Sequence, residues 1–401
     1  MTSTSKNPTD FVGRPVWAEV SLEALAQNFR AIRDYVNPSS EKRQTPRKVL
    51  SIVKGNGYGH GGPQVARALE KAGSDWFGVA SAGEGMELRK IGVRKPILVL
   101  GGFWSGEEKN LLDYDLTPAI HRCEQLAPFE AAAAKHRQKN VTFHLKMDTG
   151  MNRLGIAPKD IDCFARQLAK CPHLELNGIF THFASSEVLT DTPTGRMTAL
   201  QMDRINTTVD RLRALKIPAG IIHCANSAAI AARPETWADM VRPGAILYGY
   251  HPGFDPMDRR TEFESKLRLR PVMSLRARVI NVRSIAQGEG VGYNASWVAQ
   301  RPSRVAVISA GYHDGVHRSL GNHGQFAIRG LHAPIIGIVS MDVTMLDVTD
   351  VADVVTGDIA TLYGEEGHRT YPANVVARSI GTVTSDLISG VGPRVPRIYL
   401  S

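Results

Sequence analysis

The chain has 401 residues, 43% of them hydrophobic and 22% charged, with 37 glycines and 4 cysteines. That composition excludes a disordered, collagen-like or disulfide-stapled protein. The length exceeds the ~250–300 residues at which single cores stop growing, so one large domain and a smaller one are expected. The formal charge of +9 reflects 48 basic against 39 acidic residues. The basic residues are scattered, and the densest runs, 41–48 and 266–270, are short, interrupted and free of interleaved aromatics. No nucleic-acid partner is expected on that pattern. Segment 1–10 is polar, and no run approaches the ~18 apolar residues of a membrane span. Cys123, Cys163, Cys171 and Cys224 make no C-x-x-C pair and no metal-finger spacing. Reduced thiols in a cytoplasmic protein without a membrane partner follow.

In chain order, the first periodic segment is helical. Leu22, Leu25, Phe29, Ile32 and Val36 share one face, Ser21 stands as N-cap and Asn37-Pro38 as stop. Eight short apolar, β-branched runs then alternate with helical patterns: 49–53, 76–80, 97–100, 117–120, 141–147, 176–183, 220–224 and 240–248. Near-continuous apolar strands separated by helices indicate a parallel sheet covered on both faces. Eight of them predict an α/β fold of the (β/α)8, TIM-like barrel type, although counting alone leaves an open doubly wound sheet as the alternative.

After Gly249 the texture changes. Residues 251–256, His-Pro-Gly-Phe-Asp-Pro, read as a linker. Alternating runs at 272–282, 304–309, 325–328, 333–339 and 359–363, divided by Gly, Pro and Asp turns, predict a mostly β C-terminal domain interrupted by one helix near 374–380. The expected division is 1–250 for the barrel and 251–401 for the β domain, with a first strand near 14–20 packing with the latter.

Chemistry in a barrel sits at the carboxyl ends of the strands. Lys54 ends the first run, ahead of Gly55-Asn56-Gly57-Tyr58-Gly59-His60-Gly61-Gly62. Lys146 and Arg153 follow the fifth, His182 the sixth, Asn226 and Ser227 the seventh, and Arg242 and Gly244 belong to the eighth. Gly57, Gly59 and Gly62 match the G-x-G-x-x-G pattern. A dinucleotide site also requires an acid at the carboxyl end of the next strand, however, and Asp75 stands at the amino end. A lysine at a buried strand end beside a glycine loop suits Schiff-base chemistry with a carbonyl such as that of pyridoxal phosphate. Taken alone, Lys54 could equally be a salt-bridged structural lysine. His313, His317 and His323 lie in a glycine-rich loop, and His182 and His223 lack a neighbouring carboxylate, so no metal site is expected.

Together these stretches resemble the alanine racemases. The resemblance is carried by residues 51–61 around Lys54, by Lys146-Met147-Asp148-Thr149-Gly150-Met151-Asn152-Arg153, by Thr181-His182-Phe183 and by Arg242-Pro243-Gly244-Ala245. Gly292-Tyr293, Gly311-Tyr312-His313-Asp314-Gly315, Ser340-Met341-Asp342 and Arg394-Val395-Pro396-Arg397 continue it in the family's order, about residues 15–399. It implies a pyridoxal-phosphate-dependent isomerase that interconverts L- and D-alanine by a two-base mechanism and supplies D-alanine for peptidoglycan. Lys54 would hold the cofactor and act as base toward the D-isomer, and Tyr293 would serve the L-isomer from the partner subunit of a homodimer. Arg242 would face the pyridine nitrogen, and His182 would lie beside the ring. Tyr58, Asn226, Ser227, Gly244 and Ala245 would hold the phosphate. Arg153 and Met341 would contact the alanine substrate, and Lys146 aligns with a lysine that is often carbamylated.

The chain departs from the family's Gly-Thr-x-x-Tyr pattern at Ser385, which predicts a roomier pocket. Three alternatives stand beside the main reading: a broad serine/alanine racemase, a barrel decarboxylase using the same cofactor, and a non-catalytic cofactor carrier. Gly55 and Gly57 occupy positions where alanine is commoner, which predicts a looser cofactor loop.

Overall fold

A computed structural model describes residues 13–136, 140–257 and 259–400. Segment 1–10, read above as polar, lies outside the described residues. The chain divides into two compact units. One comprises 25–57 and 62–269, the other 1–24, 58–61 and 270–401.

The first unit is a parallel barrel. Strand β1 (Val16–Ser21) precedes it and belongs to the other unit, and helix α1 (Leu22–Val36) follows β1. The barrel strands are β2 (Lys48–Ile52), β3 (Trp76–Val79), β4 (Ile97–Val99), β5 (Thr117–Ile120), β6 (Val141–Lys146), β7 (Leu174–Phe180), β8 (Ile221–His223) and β9 (Met240–Val241). They pair in sequential order, with β9 returning beside β2. Backbone bonds from Asp239 N to Ile222 O (3.0 Å) and from Arg242 N to Ala225 O (2.9 Å) join β9 to β8 and close the ring. That closure decides between the barrel and the open sheet. Strands β3, β4 and β5 are buried at every residue, because helices cover one face of the sheet and side chains fill the other. The intervening helices are α2 (Gly62–Ala72), α3 (Ala82–Lys90), α4 (Glu108–Asp113), α5 (Leu126–Ala133), α6 (Ile161–Leu168), α7 (Pro193–Ala214) and α8 (Ser227–Ala232).

Three expectations shift. The eighth run, expected over 240–248, is a strand for two residues only. Pro243 lacks an N–H, and Gly244 takes φ −118° and ψ −97°, so the chain leaves the sheet and turns through 245–248 as a short 3-10 helix. The 251–256 segment is packed rather than free. Phe254 is buried against Phe263 of α9 (Arg259–Lys266) and against Ala228 and Ala231 of α8. Compactness therefore continues to Leu269, beyond the break read at 250.

The second unit is built on a closed six-stranded antiparallel barrel. Its strands are β10 (Met273–Ile285), β13 (Ser303–Ile308), β16 (Thr344–Asp347), β15 (Leu331–Ile336), β14 (Gln325–Ile328) and β17 (Ile359–Glu366), in that spatial order, with β17 pairing back onto β10. Strand β1 pairs antiparallel with β10 and parallel with β19 (Arg397–Leu400). A small ribbon, β11 (Gly290–Val291) with β12 (Trp297–Val298), carries residues 292–296 at its tip, and β18 (Arg369–Tyr371) forms a hairpin on β17. Helices α10 (Ala373–Ser379) and α11 (Thr384–Ser389) follow.

Candidate active site

Four cationic side chains, Lys54, Lys146, Arg153 and Arg242, stand at the carboxyl rim of the parallel barrel or just inside it. Lys54 leaves β2 on a turn in which Gly55, Asn56 and Gly57 have φ of 63°, 53° and 63°. Consecutive left-handed residues are costly for side chains with a Cβ, and asparagine tolerates them best after glycine. The two glycines therefore permit this turn rather than loosen it. It is pinned by Gly57 N to Val53 O (2.8 Å), by Gly62 N to Asn56 Oδ1 (2.7 Å) and by Gly55 N to Glu84 Oε1 (2.7 Å). The other Glu84 oxygen accepts from Ala80 N at 2.7 Å. Lys54 itself is exposed, which corrects the expectation of a buried lysine at this strand end.

The buried lysine is Lys146, at the end of β6 and 7% exposed. Burial, followed by the charges of Arg153, Arg242 and Lys54, pushes its amine down to about 8. Its Nζ lies 5.4 Å from the centroid of the Phe180 ring, and the Arg242 Cζ lies 5.4 Å from the same ring. Arg242 donates to the carbonyls of His223 (2.5 Å), Thr181 (2.7 Å) and Cys224 (2.9 Å) and sits 3.4 Å from His182 Nδ1. Desolvation brings its guanidinium down to about 10, so it stays charged throughout the neutral range. Burial, with Arg242 next, holds His182 well below the usual imidazole value and therefore neutral.

Behind Arg242, His223 pairs with a second buried imidazole, His144, which motif reading did not identify. Arg242 Nη1 is 3.3 Å from His223 Nδ1, and His223 Nε2 is 2.8 Å from His144 Nδ1. Burial pushes His144 down to about 3 and His223 well below its ordinary value. Two neutral rings can each donate once and accept once, which suits a chain ending on a guanidinium donor. The inward-facing alternation of β6 and β8 was the only available signal. Cys224, beside Arg242, is pushed up to about 11 by burial and is inert at neutral pH.

At the exits of β8 and β9, Ser227 Oγ accepts from Gly244 N at 2.9 Å. The Asn226 side chain caps α8 by accepting from Ala229 N (3.1 Å) and takes the Ser186 hydroxyl at 2.8 Å. Ala245 opens the following turn. Arg153 is exposed on the loop after β6, beside Asp148, whose Oδ1 accepts from the amides of Gly150 and Asn152 at 3.0 Å each.

Both halves of this chain match a known family. Residues 20–252 match the alanine racemase N-terminal domain and 272–399 the C-terminal domain. The chain belongs to the alanine racemase family. It is 38% identical over 393 residues to an alanine racemase of Geobacter sulfurreducens, covering 97% of this chain and 98% of the relative. To that of Halothermothrix orenii it is 36% identical over 390 residues, covering 97% of each. Among solved structures, the biosynthetic alanine racemase of Pseudomonas aeruginosa superposes with a TM-score of 0.82 at 32% identity, covering 97% of this chain and 100% of that one. The Bacillus anthracis alanine racemase with bound L-Ala-P gives 0.85 at 29% identity, covering 98% and 96%.

The remaining expected residues belong to this racemase's second unit. Tyr293 stands at the tip of the β11–β12 ribbon, 67% exposed. Met341 is 50% exposed, and its carbonyl is held by His313 N (3.2 Å) and Arg394 Nη2 (3.3 Å). The anchor of that loop is Asp314, completely buried. It accepts from Arg394 Nε at 2.8 Å, from Arg14 Nη2 at 3.0 Å and from Gly311 N at 2.9 Å. The Gly311–Gly315 and Arg394–Arg397 motifs are thus joined through one buried aspartate and two partly exposed arginines. Tyr58 also belongs to this unit, and burial pushes its phenol up to about 12. Ser385 is partly buried in α11.

Proposed function

We propose that this racemase uses pyridoxal phosphate, held on Lys54, to interconvert L- and D-alanine with two opposed bases. The observation that carries the reading is the environment of Arg242. A fully desolvated guanidinium, bonded to three carbonyls and facing a neutral imidazole, has no carboxylate bonded to it among the described residues. Barrel decarboxylases of the same cofactor usually place a glutamate against the pyridine nitrogen, so a guanidinium at that position speaks against the decarboxylase alternative.

The donor set fits the cofactor. Lys54, Arg153 and Arg242 offer positive charge to a phosphate and a phenolate oxygen. Ser227, Gly244 and Ala245 offer neutral donors for the phosphate, and Asn226 contributes by fixing Ser227 through its cap. When bound, pyridoxal phosphate supplies the electron sink that stabilises a carbanion at the amino acid's Cα. Lys54 Nζ takes or returns the proton on one face of Cα, and Tyr293 of the partner subunit does so on the other. Inversion requires that removal and return occur on opposite faces. Arg153 pairs with the substrate carboxylate as a fork, and Met341 of the partner subunit narrows the pocket. Arg242 stays charged and cannot readily give up a proton, which keeps the ring nitrogen unprotonated and disfavours side reactions. A homodimer with shared sites accords with the exposure of Tyr293 and Met341, which leaves both side chains free to reach a partner's site. The product serves peptidoglycan synthesis.

Incubation with L-alanine in deuterated water tests this. Loss of optical rotation together with deuterium at Cα is the expected result, and bound cofactor without exchange refutes it. The same assay with L-serine tests breadth. With Ser385 in place of a tyrosine, serine is expected to turn over at a measurable fraction of the alanine rate, and a negligible rate restricts the enzyme to alanine.

Lys146 carries a separate expectation. Its amine is half neutral near pH 8 and almost wholly charged two units lower. The neutral nitrogen adds to CO2 and loses a proton, forming a carbamate anion between Arg153 and Arg242. With carbon-13 bicarbonate at about pH 8.5, a carbamate resonance is expected that fades toward about pH 6 and is absent in Lys146→Gln. A spectrum identical in wild type and variant refutes it.

A further inference from the structure

A cleft of about 720 Å³ opens at the exits of β4, β5 and β6. Phe103 and Trp104 follow β4, Arg122 follows β5, and Asp148 and Arg153 follow β6. Two guanidiniums therefore face one cavity. Among the described residues neither has a hydrogen-bond or ion-pair partner for its side chain. Some exposed arginines on this barrel are paired, Arg211 with Asp162 at 2.7 Å and Arg196 with Asp191 at 2.7 Å. Asp148, the one acid lining the cleft, spends Oδ1 on two backbone amides. Unbalanced cations in a walled cleft raise the local concentration of anions.

Alanine brings a single carboxylate, which on the reading above goes to Arg153. We propose that Arg122 is a second carboxylate-binding residue, and that the cleft takes short dicarboxylates such as succinate or aspartate. Arg153 receives one carboxylate and Arg122 the other. The inference rests on the role given to Arg153, but the Arg122 subsite can be tested separately. A guanidinium fork matches a carboxylate with two parallel hydrogen bonds, and the Phe103–Trp104 wall covers the methylenes between the two charges.

Calorimetric titration of the holoenzyme with succinate and with propionate, at matched ionic strength, decides the matter. Succinate is expected to bind about tenfold more tightly than propionate, the size of one further charge-assisted pair. Arg122→Gln should erase that advantage while leaving propionate affinity unchanged, and Arg122→Lys should keep part of it. Because Arg122 is exposed, both variants should fold. Equal affinities in the wild type overturn the proposal, as does an advantage that survives in Arg122→Gln. Should propionate fail to bind while succinate binds through Arg122, the Arg153 role falls and the Arg122 subsite stands.

Discussion

Replacing Arg242 by leucine is expected to lower the unfolding free energy of the cofactor-free chain by about 3 kcal/mol. Two effects compete. The guanidinium bonds three carbonyls that water does not reach, and each is left without a donor at a cost of about 2 kcal/mol. Against this, the native state no longer holds a desolvated cation. Its pKa is brought from 12.5 to about 10, a penalty of about 3 kcal/mol. The sign is unambiguous at neutral pH. A base whose folded pKa is depressed destabilises the native state at all pH values below that pKa, so below about 10 the leucine variant recovers the penalty in full. The three orphaned carbonyls still outweigh it, and the lost packing over Phe180 adds to the deficit. The urea midpoint of the apoprotein is the measurement. A midpoint equal to that of the wild type would mean that the carbonyls find other donors and that Arg242 is not structural.

Lys54→Ala is expected to show the opposite split, unchanged stability and a racemisation rate down by at least about 10³-fold. Lys54 is exposed, so its removal orphans nothing. The turn around it is held by Glu84, Asn56 and backbone bonds that do not use its amine. Borohydride treatment of the wild type should label the peptide carrying Lys54 and no other, and a label on a different lysine ends the assignment. Tyr293→Phe separates the two bases. If Lys54 serves the D-isomer, the variant should still exchange the Cα proton of D-alanine with deuterated water while failing to invert it. Inversion at the wild-type rate would remove Tyr293 from the mechanism and revive the reading of a carrier without racemase chemistry.

The barrel was legible because parallel strands covered on both faces must be apolar throughout. Runs such as 76–80 and 117–120, seen as β3 and β5, therefore stand out between helical patterns. Signals failed where tertiary pairing, not local preference, makes the strand. Thr344–Asp347 and Arg397–Leu400 are four residues each with little alternation, and they are strands because β13 and β1 offer them partners. The run at 240–248 failed for the reverse reason, since its apolar residues are buried in a turn rather than in a strand. Phe254 made the 251–256 segment part of a core, and a linker reading from Pro and Gly content alone could not anticipate that.

From the residues alone came the parallel α/β architecture, the cationic strand ends at Lys54, Lys146, Arg153 and Arg242, and the resemblance to the alanine racemases. These features depend on which residues occur and at what spacing, and spacing along a strand or helix is a local property. Tertiary structure decided everything that depends on distance between remote segments. It closed the barrel through Asp239 and Arg242 onto β8, and it put the burial on Lys146 and left Lys54 exposed. It also linked His144 and His223 by a hydrogen bond behind Arg242, joined Arg14 and Arg394 through the buried Asp314, and left Arg122 facing a cleft without a counter-ion. Desolvation and ion pairing depend on what surrounds a group in space, and residues 79 or 300 positions apart in sequence carry no local mark of being neighbours.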